Sequence, residues 1–110
     1  MSTNFIEKGE VLNYTAANKP IASGDVVIIG NIAGIAKTDI AVGETGAVHI
    51  NGVYSLAKSN EAITQGVKVY WSSKNNNVTI TKLDNIPIGV AANNTISSES
   101  RVHVLLNIGI

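Results

Sequence analysis

Residues 23–38 have the sequence SGDVVIIGNIAGIAKT, in which glycines alternate with runs of β-branched residues. The apolar run at 25–30 predicts a strand that is buried on both faces or against a neighbour. A turn at 31–34 and a short returning strand at 35–38 complete a predicted hairpin. Glycines recur roughly ten residues apart, at positions 24, 34, 43 and 52, and glycine supplies the positive φ that tight turns require. This spacing is typical of an all-β sandwich or barrel.

The residue composition supports the same fold class. The chain has 27 valines and isoleucines but five leucines, and β-branched side chains fit a pleated sheet better than a helix. A chain of 110 residues forms one domain with a modest core. We predict an N-terminal arm at 1–8 and a single small β domain at 9–110, built from short antiparallel strands with at most one short helical turn.

Further strands are predicted where apolar and polar residues alternate or where turn residues flank an apolar run. They span 10–15, 47–50, 53–56, 67–71, 78–81, 86–92 and 101–107. Asn51-Gly52 is among the strongest short-range turn signals, so the strand at 53–56 is predicted to pair back on the strand at 47–50. The one possible helical turn lies at 59–65, where Ser59 is a suitable N-cap.

The charge balance and the absence of cysteine exclude several kinds of partner and site. Eight basic and eight acidic residues cancel, so the chain has little attraction for nucleic acid or for an anionic membrane. Without cysteine there are no disulfides and no thiolate metal sites. The first residues lack the pattern of a secretory signal, and no run approaches the ~20 apolar residues of a membrane helix. We expect a soluble, cytosolically made protein.

No pattern of reactive side chains predicts catalysis or metal binding. His49 and His103 occupy outward positions of alternating strands without an acidic residue at ligand spacing, so both are interpreted as surface residues. The chain has no Gly-x-Ser-x-Gly elbow, and the loop at 30–34 lacks the helix and lysine of a phosphate-binding loop. The carboxylates lie next to turns, where such side chains accept hydrogen bonds from backbone amides. We expect no catalytic residue, no metal and no cofactor.

Tyr70 and Trp71 are adjacent aromatic residues in one predicted strand. Trp71 shares a predicted face with Val67 and Val69, so packing in the core is favoured for it over stacking on a base or sugar. Tyr70 is then predicted to be the more exposed ring.

Both ends of the chain carry apolar residues outside the predicted core. Leu105, Ile108 and Ile110 add apolar surface that a small monomer would struggle to cover, which favours a subunit interface over a free tail. Near the amino end, Phe5 and Ile6 form an apolar pair on an otherwise polar arm. This arm either becomes ordered on a partner or forms a first strand fixed in the subunit.

Several of these motifs occur in the same order in a known protein family. They are Ser23-Gly24-Asp25-Val26-Val27, Gly34-Ile35-Ala36, Gly43-Glu44, Asn51-Gly52-Val53 with Leu56 and Lys58, Gly66-Val67-Lys68-Val69-Tyr70-Trp71, Ile88-Gly89-Val90-Ala91 and Val102-His103-Val104-Leu105-Leu106. Over nearly the whole chain, the sequence resembles the bacteriophage capsid cement, or head decoration, proteins. The resemblance implies a related β-barrel or β-clip-like sandwich and no catalytic residues.

The same resemblance implies a role and a set of partners. Proteins of this group assemble, typically as trimers, on the outside of an icosahedral head and reinforce it against internal DNA pressure. The implied partners are the major capsid protein and further copies of the chain in a homotrimer, with no nucleic acid and no membrane. The implied location is the outer capsid surface of the virion, after synthesis in the bacterial host cytoplasm. Zero net charge suits dense packing on such a surface.

Within this role, the arm is expected to contact the capsid through Thr3, Asn4, Phe5 and Ile6. It would add a strand to an exposed sheet edge, with Phe5 or Ile6 filling a pocket. Two alternatives stay open. One is a non-catalytic β-module that binds a glycan or a phage tail component through Tyr70 and the tip at 75–77. The other is a small β-barrel hydrolase or lyase that uses carboxylates from adjacent subunits.

Overall fold

The computed structural model describes residues 10–109, and these residues form nine β-strands and no helix. The strands are β1 (Val11–Thr15), β2 (Val26–Ile29), β3 (Ile32–Ala36), β4 (Thr45–His49), β5 (Val53–Ala57), β6 (Lys68–Ser72), β7 (Asn77–Thr79), β8 (Ile86–Ala91) and β9 (Arg101–Leu106). All the pairings between these strands are antiparallel. The predicted all-β class with short antiparallel strands is confirmed.

The strands form two sheets that pack as a β-sandwich. The first sheet has the order β1-β4-β3-β2 and the second has the order β5-β9-β8-β6-β7. Most residues of the main core belong to the second sheet, and Ala33 and Ile35 of the first sheet are buried among them. A single bridge between Lys58 and Val78 links the ends of β5 and β7, but the described strands do not close into a barrel.

The β2–β3 hairpin has its turn earlier than the sequence predicted. Gly30 and Asn31 alone join the strands, and Gly30 has a φ of 58°, as the first residue of a two-residue hairpin loop requires. The predicted turn at 31–34 is therefore wrong. Gly34 lies inside β3, where a Cβ atom would come 3.1 Å from Cγ2 of Val48. The missing side chain at Gly34 allows β4 to pack closely, and this residue forms no turn.

Gly24, Gly43 and Gly66 share one local structure. Each is the third residue of a four-residue turn closed by a backbone hydrogen bond, and φ at these glycines lies between 84° and 89°. This is the geometry of a type II turn. Each glycine and the residue after it then face a single alanine of a neighbouring strand segment, as in a G1 bulge. The predicted turn glycines at 24 and 43 are confirmed.

Asn51-Gly52 joins the two sheets instead of closing a hairpin. β4 pairs with β1 and β3, whereas β5 pairs with β9, so the predicted pairing of 53–56 with 47–50 is wrong. Gly52 has a φ of 101°, and its carbonyl accepts a hydrogen bond from the Leu106 N–H at 3.0 Å. The chain does turn here, but long-range bonds to the end of β9 decide where the next strand goes.

The two sheets repeat one strand arrangement. The order β1-β4-β3-β2 corresponds strand by strand to β5-β9-β8-β6. Bonds beyond the strands repeat too: the Lys37 N–H donates to the Ala47 carbonyl at 3.0 Å, and the Ala92 N–H donates to the His103 carbonyl at 2.7 Å. Among the described residues, β7 has no counterpart in the first sheet. We name residues 10–50 repeat one and residues 52–106 repeat two.

Equivalent positions of the two repeats carry the same buried residues. These pairs are Val27 and Val69, Gly34 and Gly89, Ala36 and Ala91, and Val48 and Val104. The registers match as well, since Val27 faces Gly34 as Val69 faces Gly89. No repeat was evident in the sequence because few residues are shared and the β6–β7 hairpin interrupts the second copy.

The segment at 59–65 forms no helical turn, so the helix considered for it is wrong. Its structure depends on the Glu61 carboxylate, which accepts hydrogen bonds from the Ser59 and Thr79 hydroxyls and from the Ile80 N–H. Partial burial by itself raises the pKa of Glu61, but these bonds, with one from Thr81, outweigh it and hold the pKa below its ordinary value. Glu61 thereby fastens its loop to the end of β7.

Replacing this carboxylate by an amide is expected to weaken the fold in a pH-dependent way. We expect Glu61→Gln to lower the free energy of unfolding by about 1 kcal/mol at neutral pH. The neutral amide oxygen accepts weaker hydrogen bonds from the hydroxyls and the N–H group than the charged carboxylate does. Because the pKa is lower in the folded state, this stabilisation is fully present above the ordinary glutamate pKa of about 4.3 and is lost as the pH falls through the folded-state pKa. Urea unfolding of both chains across this range measures the difference.

Glu99→Gln is the matched control for this prediction. The Glu99 carboxylate accepts one hydrogen bond, from the Ile96 N–H at 3.0 Å, in an exposed turn. We therefore expect a smaller loss of stability than in Glu61→Gln. A stability difference between wild type and Glu61→Gln that stayed the same at acid pH would contradict the assigned role of the carboxylate.

Asn107 connects the end of repeat two to repeat one. Its side-chain oxygen accepts a hydrogen bond from the Ala33 N–H at 2.9 Å, and its amide nitrogen donates to the carbonyls of Ala33 and Ile50 at 2.8 and 2.6 Å. Its φ is 60°, a conformation that asparagine tolerates better than most residues. One side chain thus satisfies three backbone groups at the junction of the repeats.

We expect Asn107→Ala to lower the free energy of unfolding by about 2–4 kcal/mol, because three backbone groups lose their partner and alanine disfavours the positive φ. Asn107→Gly separates the two effects, since glycine accepts this φ but makes no side-chain bond. Its loss should be about 1 kcal/mol smaller, as measured by urea unfolding. An Asn107→Gly chain as stable as wild type would show that the three bonds contribute nothing.

Candidate assembly surfaces

An apolar row crosses the outer face of the second sheet. Leu105 of β9 is paired with Val53 of β5 on one side and with Val90 of β8 on the other. The side chain of Val53 is 54% exposed, and that of Ile108, just beyond β9, is 52% exposed. We name Val53, Val90 and Leu105 the β9 face, and Ile108 follows two residues beyond the end of β9. Adjacent large apolar side chains on the surface of a small protein indicate an interaction site.

The predicted site residues fall partly on this face. Leu105 lies on it, and Ile108 is exposed two residues beyond the end of β9. Ile110 and the predicted capsid contacts Thr3, Asn4, Phe5 and Ile6 lie outside the described residues, and their roles stay predictions. Sequence reasoning missed Val53 and Val90 because only the strand order places them beside Leu105.

One end of the same outer face is polar. Arg101 donates from Nε to the Ser55 hydroxyl at 2.8 Å and from Nη2 to the Ser55 carbonyl at 2.6 Å. His103, which faces Ser55 across the β5–β9 pair, is exposed as predicted. The apolar row therefore has a charged border on this side, as the rim of a protein interface does.

A cleft of about 570 Å³ runs along the outer edge of β2. It is lined by β2, by Tyr14 of β1, by Leu56 of β5 and by the β6–β7 hairpin. Its charged lining residues are Lys19, Asp25 and Arg101. Val26 and Val27 both line it although successive side chains point to opposite faces of a strand. The cleft therefore follows the edge of β2 and not one of its faces. We name it the β2 cleft.

Tyr70 is covered, contrary to the prediction that it is the more exposed ring. It is 8% exposed and lies between Thr79 of β7 and Pro87 of β8, with Lys68 Nζ 5.9 Å from its ring centre. The register of β6 against β8 shifts between Val69 and Tyr70, so regular alternation does not hold here. Trp71 is half buried against the main core, in keeping with the packing predicted for it.

The carboxylates at turns accept backbone hydrogen bonds, as interpreted from the sequence. Asp25 accepts from the Ala22 N–H at 2.9 Å, and Glu44 accepts from the Ala41 N–H at 3.2 Å. Between residues 10 and 109, no group of three or more histidine, aspartate or glutamate side chains is placed to hold a metal ion. The same range includes no helix of the length and apolar character needed to cross a membrane.

Comparison with known proteins gives one match, and it covers nearly the whole chain. A family model described as phage cement protein matches residues 6–106. The match spans all nine strands and every residue that lines the β2 cleft. No curated protein and no solved structure is similar enough to count as a match.

Proposed function

The chain belongs to the phage cement protein family, and on this premise we propose that it binds the outer surface of a phage head as a homotrimer. The proposed partner is the major capsid protein, and the proposed positions are the threefold sites, where the symmetry of a trimer matches that of the shell. The family match over residues 6–106 is the observation that carries the proposal. Synthesis takes place in the host cytoplasm, before assembly on the head.

The β9 face is the proposed contact between copies of the chain. Leu105 and its strand partner Val53 form an apolar surface, and the exposed Ile108 follows β9, with Ile110 two residues further along the chain. Burial of such a surface between subunits removes apolar area from water, which is the main driving force of association. Arg101 and Ser55 form a polar border that remains hydrated.

The arm is the proposed contact with the capsid. Thr3, Asn4, Phe5 and Ile6 would add a strand to a sheet edge of the capsid protein, with backbone hydrogen bonds for adhesion and an apolar side chain in a pocket. A trimer carries three arms, so individually weak contacts act together through their high effective concentration. Detachment then requires the loss of all three, and this is how a small protein resists the outward pressure of packaged DNA.

The proposed activity is mechanical, without catalysis. The carboxylates of Asp25, Glu44 and Glu61 accept hydrogen bonds from the chain's own backbone. A glycan-binding site on Tyr70 has no support, because the neighbouring strands cover that ring. The neutral net charge fits a surface crowded with identical copies.

Sedimentation with expanded heads that lack cement protein tests the proposal. The purified chain is expected to have the mass of three copies in solution and to pellet with the heads up to a saturating ratio. Binding through apolar contacts and backbone hydrogen bonds should persist when the salt concentration is raised, unlike binding through surface charge. A monomer in solution would overturn the trimer, and a chain that stays in the supernatant at every ratio would overturn the capsid role.

A further inference from the structure

We infer that the outer edge of β2 is a docking site for an extended segment of the capsid protein, which adds to repeat one the strand that β7 provides in repeat two. The identity of the partner rests on the proposed function. The site itself rests on the internal repeat, on the chemistry of the strand edge and on the cleft beside it.

Repeat two shows what the edge of β2 is built to bind. Its strand β6 corresponds to β2 and is paired on its outer edge with β7, where Trp71 faces Val78. Val78 is fully buried, so the added strand completes the core of that repeat. Among the described residues, no strand pairs with the outer edge of β2. Repeat one thus has the same platform without its last strand.

The backbone at this edge is available for pairing. In a two-residue hairpin, the residues that flank the turn exchange both hydrogen bonds, and the next pair along exchanges none. Ile29 and Ile32 flank the turn, so Ile28 and, by alternation, Val26 direct their N–H and C=O groups away from β3. All four residues of β2 are apolar. β2 itself therefore lacks the charges and prolines that natural proteins use to block unwanted pairing, and the charged residues of the cleft lie outside the strand.

The β2 cleft has the size and lining for a short strand. The side chains of repeat one that line the cleft are less buried than their counterparts in repeat two. Tyr14 and Ile21 are half buried, whereas Leu56, which occupies the position of Tyr14 in repeat two, is buried. An apolar side chain in the cleft would complete this packing. Ser73 and Asn76 on the opposite wall offer polar groups to the other edge of the segment. The segment that fits resembles β7, with an apolar residue between polar ones.

Two other occupants fit the geometry less well. Residues 1–9 of the same chain precede β1, which lies at the opposite edge of the sheet, about 14 Å away at the usual strand spacing. The faces they would have to cross are covered by the second sheet and by Ile21 and Ile40. Pairing of two β2 edges would follow a twofold axis, which a trimer does not contain. The capsid protein is left as the source of the strand.

Hydrogen exchange at β2 tests this inference on the wild-type chain. Peptides covering Val26–Ile29 are followed by mass spectrometry in the free protein and on heads. We expect the outward amides to exchange quickly in the free chain and at least about tenfold more slowly on heads, because docking supplies their partners. Binding to heads without protection at β2 would overturn the inference and leave the proposed function intact. Failure to bind would overturn the proposed function itself.

The other occupants give different results in the same experiment. Protection in the free chain that disappears when residues 2–6 are deleted would assign the edge to the arm, against the inference. Protection that increases with protein concentration in the absence of heads would assign it to a second copy, also against the inference.

Ile28→Pro and Ile28→Val form a matched pair for head binding. Both shorten the side chain, but proline alone removes the outward N–H while leaving the β2–β3 hydrogen bonds in place. We expect Ile28→Pro to bind heads about tenfold more weakly than Ile28→Val. Equal binding by two folded variants would contradict docking at this edge. If the proline variant does not fold, the exchange experiment decides alone.

Discussion

Gly89→Ala is expected to leave most of the chain unfolded under conditions in which the wild type is fully folded. Gly89 lies inside β8 with a φ of 151°, a backbone region that is essentially restricted to glycine. A Cβ atom at this position would lie 2.1 Å from the carbonyl oxygen of Leu105, which belongs to the paired strand and cannot move without breaking the β8–β9 ladder. We expect a loss of at least about 5 kcal/mol, comparable to the whole stability of a small domain.

Gly24→Ala separates the clash from the ordinary requirement for positive φ. Gly24 has a φ of 89°, but a Cβ atom there would meet nothing within 4 Å. We expect this variant to fold with a loss of about 1–2 kcal/mol. Far-UV circular dichroism and the fluorescence of Trp71, the one tryptophan, report both outcomes. Equal stability of the two variants would contradict the close approach of β8 and β9 at Gly89.

Deleting residues 2–6 is expected to abolish binding to heads while the chain remains folded and trimeric. The deletion removes all four proposed capsid contacts, and in a trimer it removes three arms at once. Because the three arms of the proposed trimer would bind together, the apparent affinity should fall by at least about 100-fold. The deletion leaves all nine strands in the chain, so the melting temperature should change little. Sedimentation with heads and analytical ultracentrifugation measure binding and assembly separately.

Paired alanine variants identify which arm residues provide adhesion. One double variant, Phe5→Ala with Ile6→Ala, removes the apolar side chains of the arm. The other, Thr3→Ala with Asn4→Ala, removes two polar side chains of the same arm. If an apolar side chain fills a capsid pocket, the first variant should bind much more weakly than the second. A deleted chain that binds heads as well as wild type would discard the arm as a capsid contact.

Local signals in the sequence gave correct predictions wherever local chemistry determines the structure. The turns at Gly24 and Gly43 depend on a positive φ within four residues, and the strand at 101–107 was recognised from its alternating residues. Gly34 follows the same spacing but serves strand packing. Spacing cannot separate these roles, because a glycine needed for close approach depends on a residue distant in sequence.

Long-range pairing explains the predictions that were wrong. Asn51-Gly52 is a genuine turn, yet its carbonyl bonds to the end of β9, more than fifty residues away in sequence. Tyr70 was assigned by alternation to the exposed face, but the shift in register and the strands on either side cover it. Neither the register shift nor the strand order is encoded in the residues next to these positions.

The candidate surfaces were predictable only in part. Leu105 and Ile108 stood out as apolar residues at the end of the chain. Val53 lies beside Leu105 through the pairing of β5 with β9, and the β2 cleft exists because two distant hairpins meet. The internal repeat was not apparent from sequence, although it shows that within residues 10–109 the outer edge of β6 is paired and the equivalent edge of β2 is not.

Cryo-electron microscopy can show whether this chain binds the outside of a phage capsid, as we propose. Expanded heads without cement protein are imaged before and after mixing with the purified chain. We expect additional density on the outer surface at threefold positions, into which three copies of the two-sheet subunit fit with their β9 faces in contact. Heads that show no additional ordered density at saturating protein would contradict it.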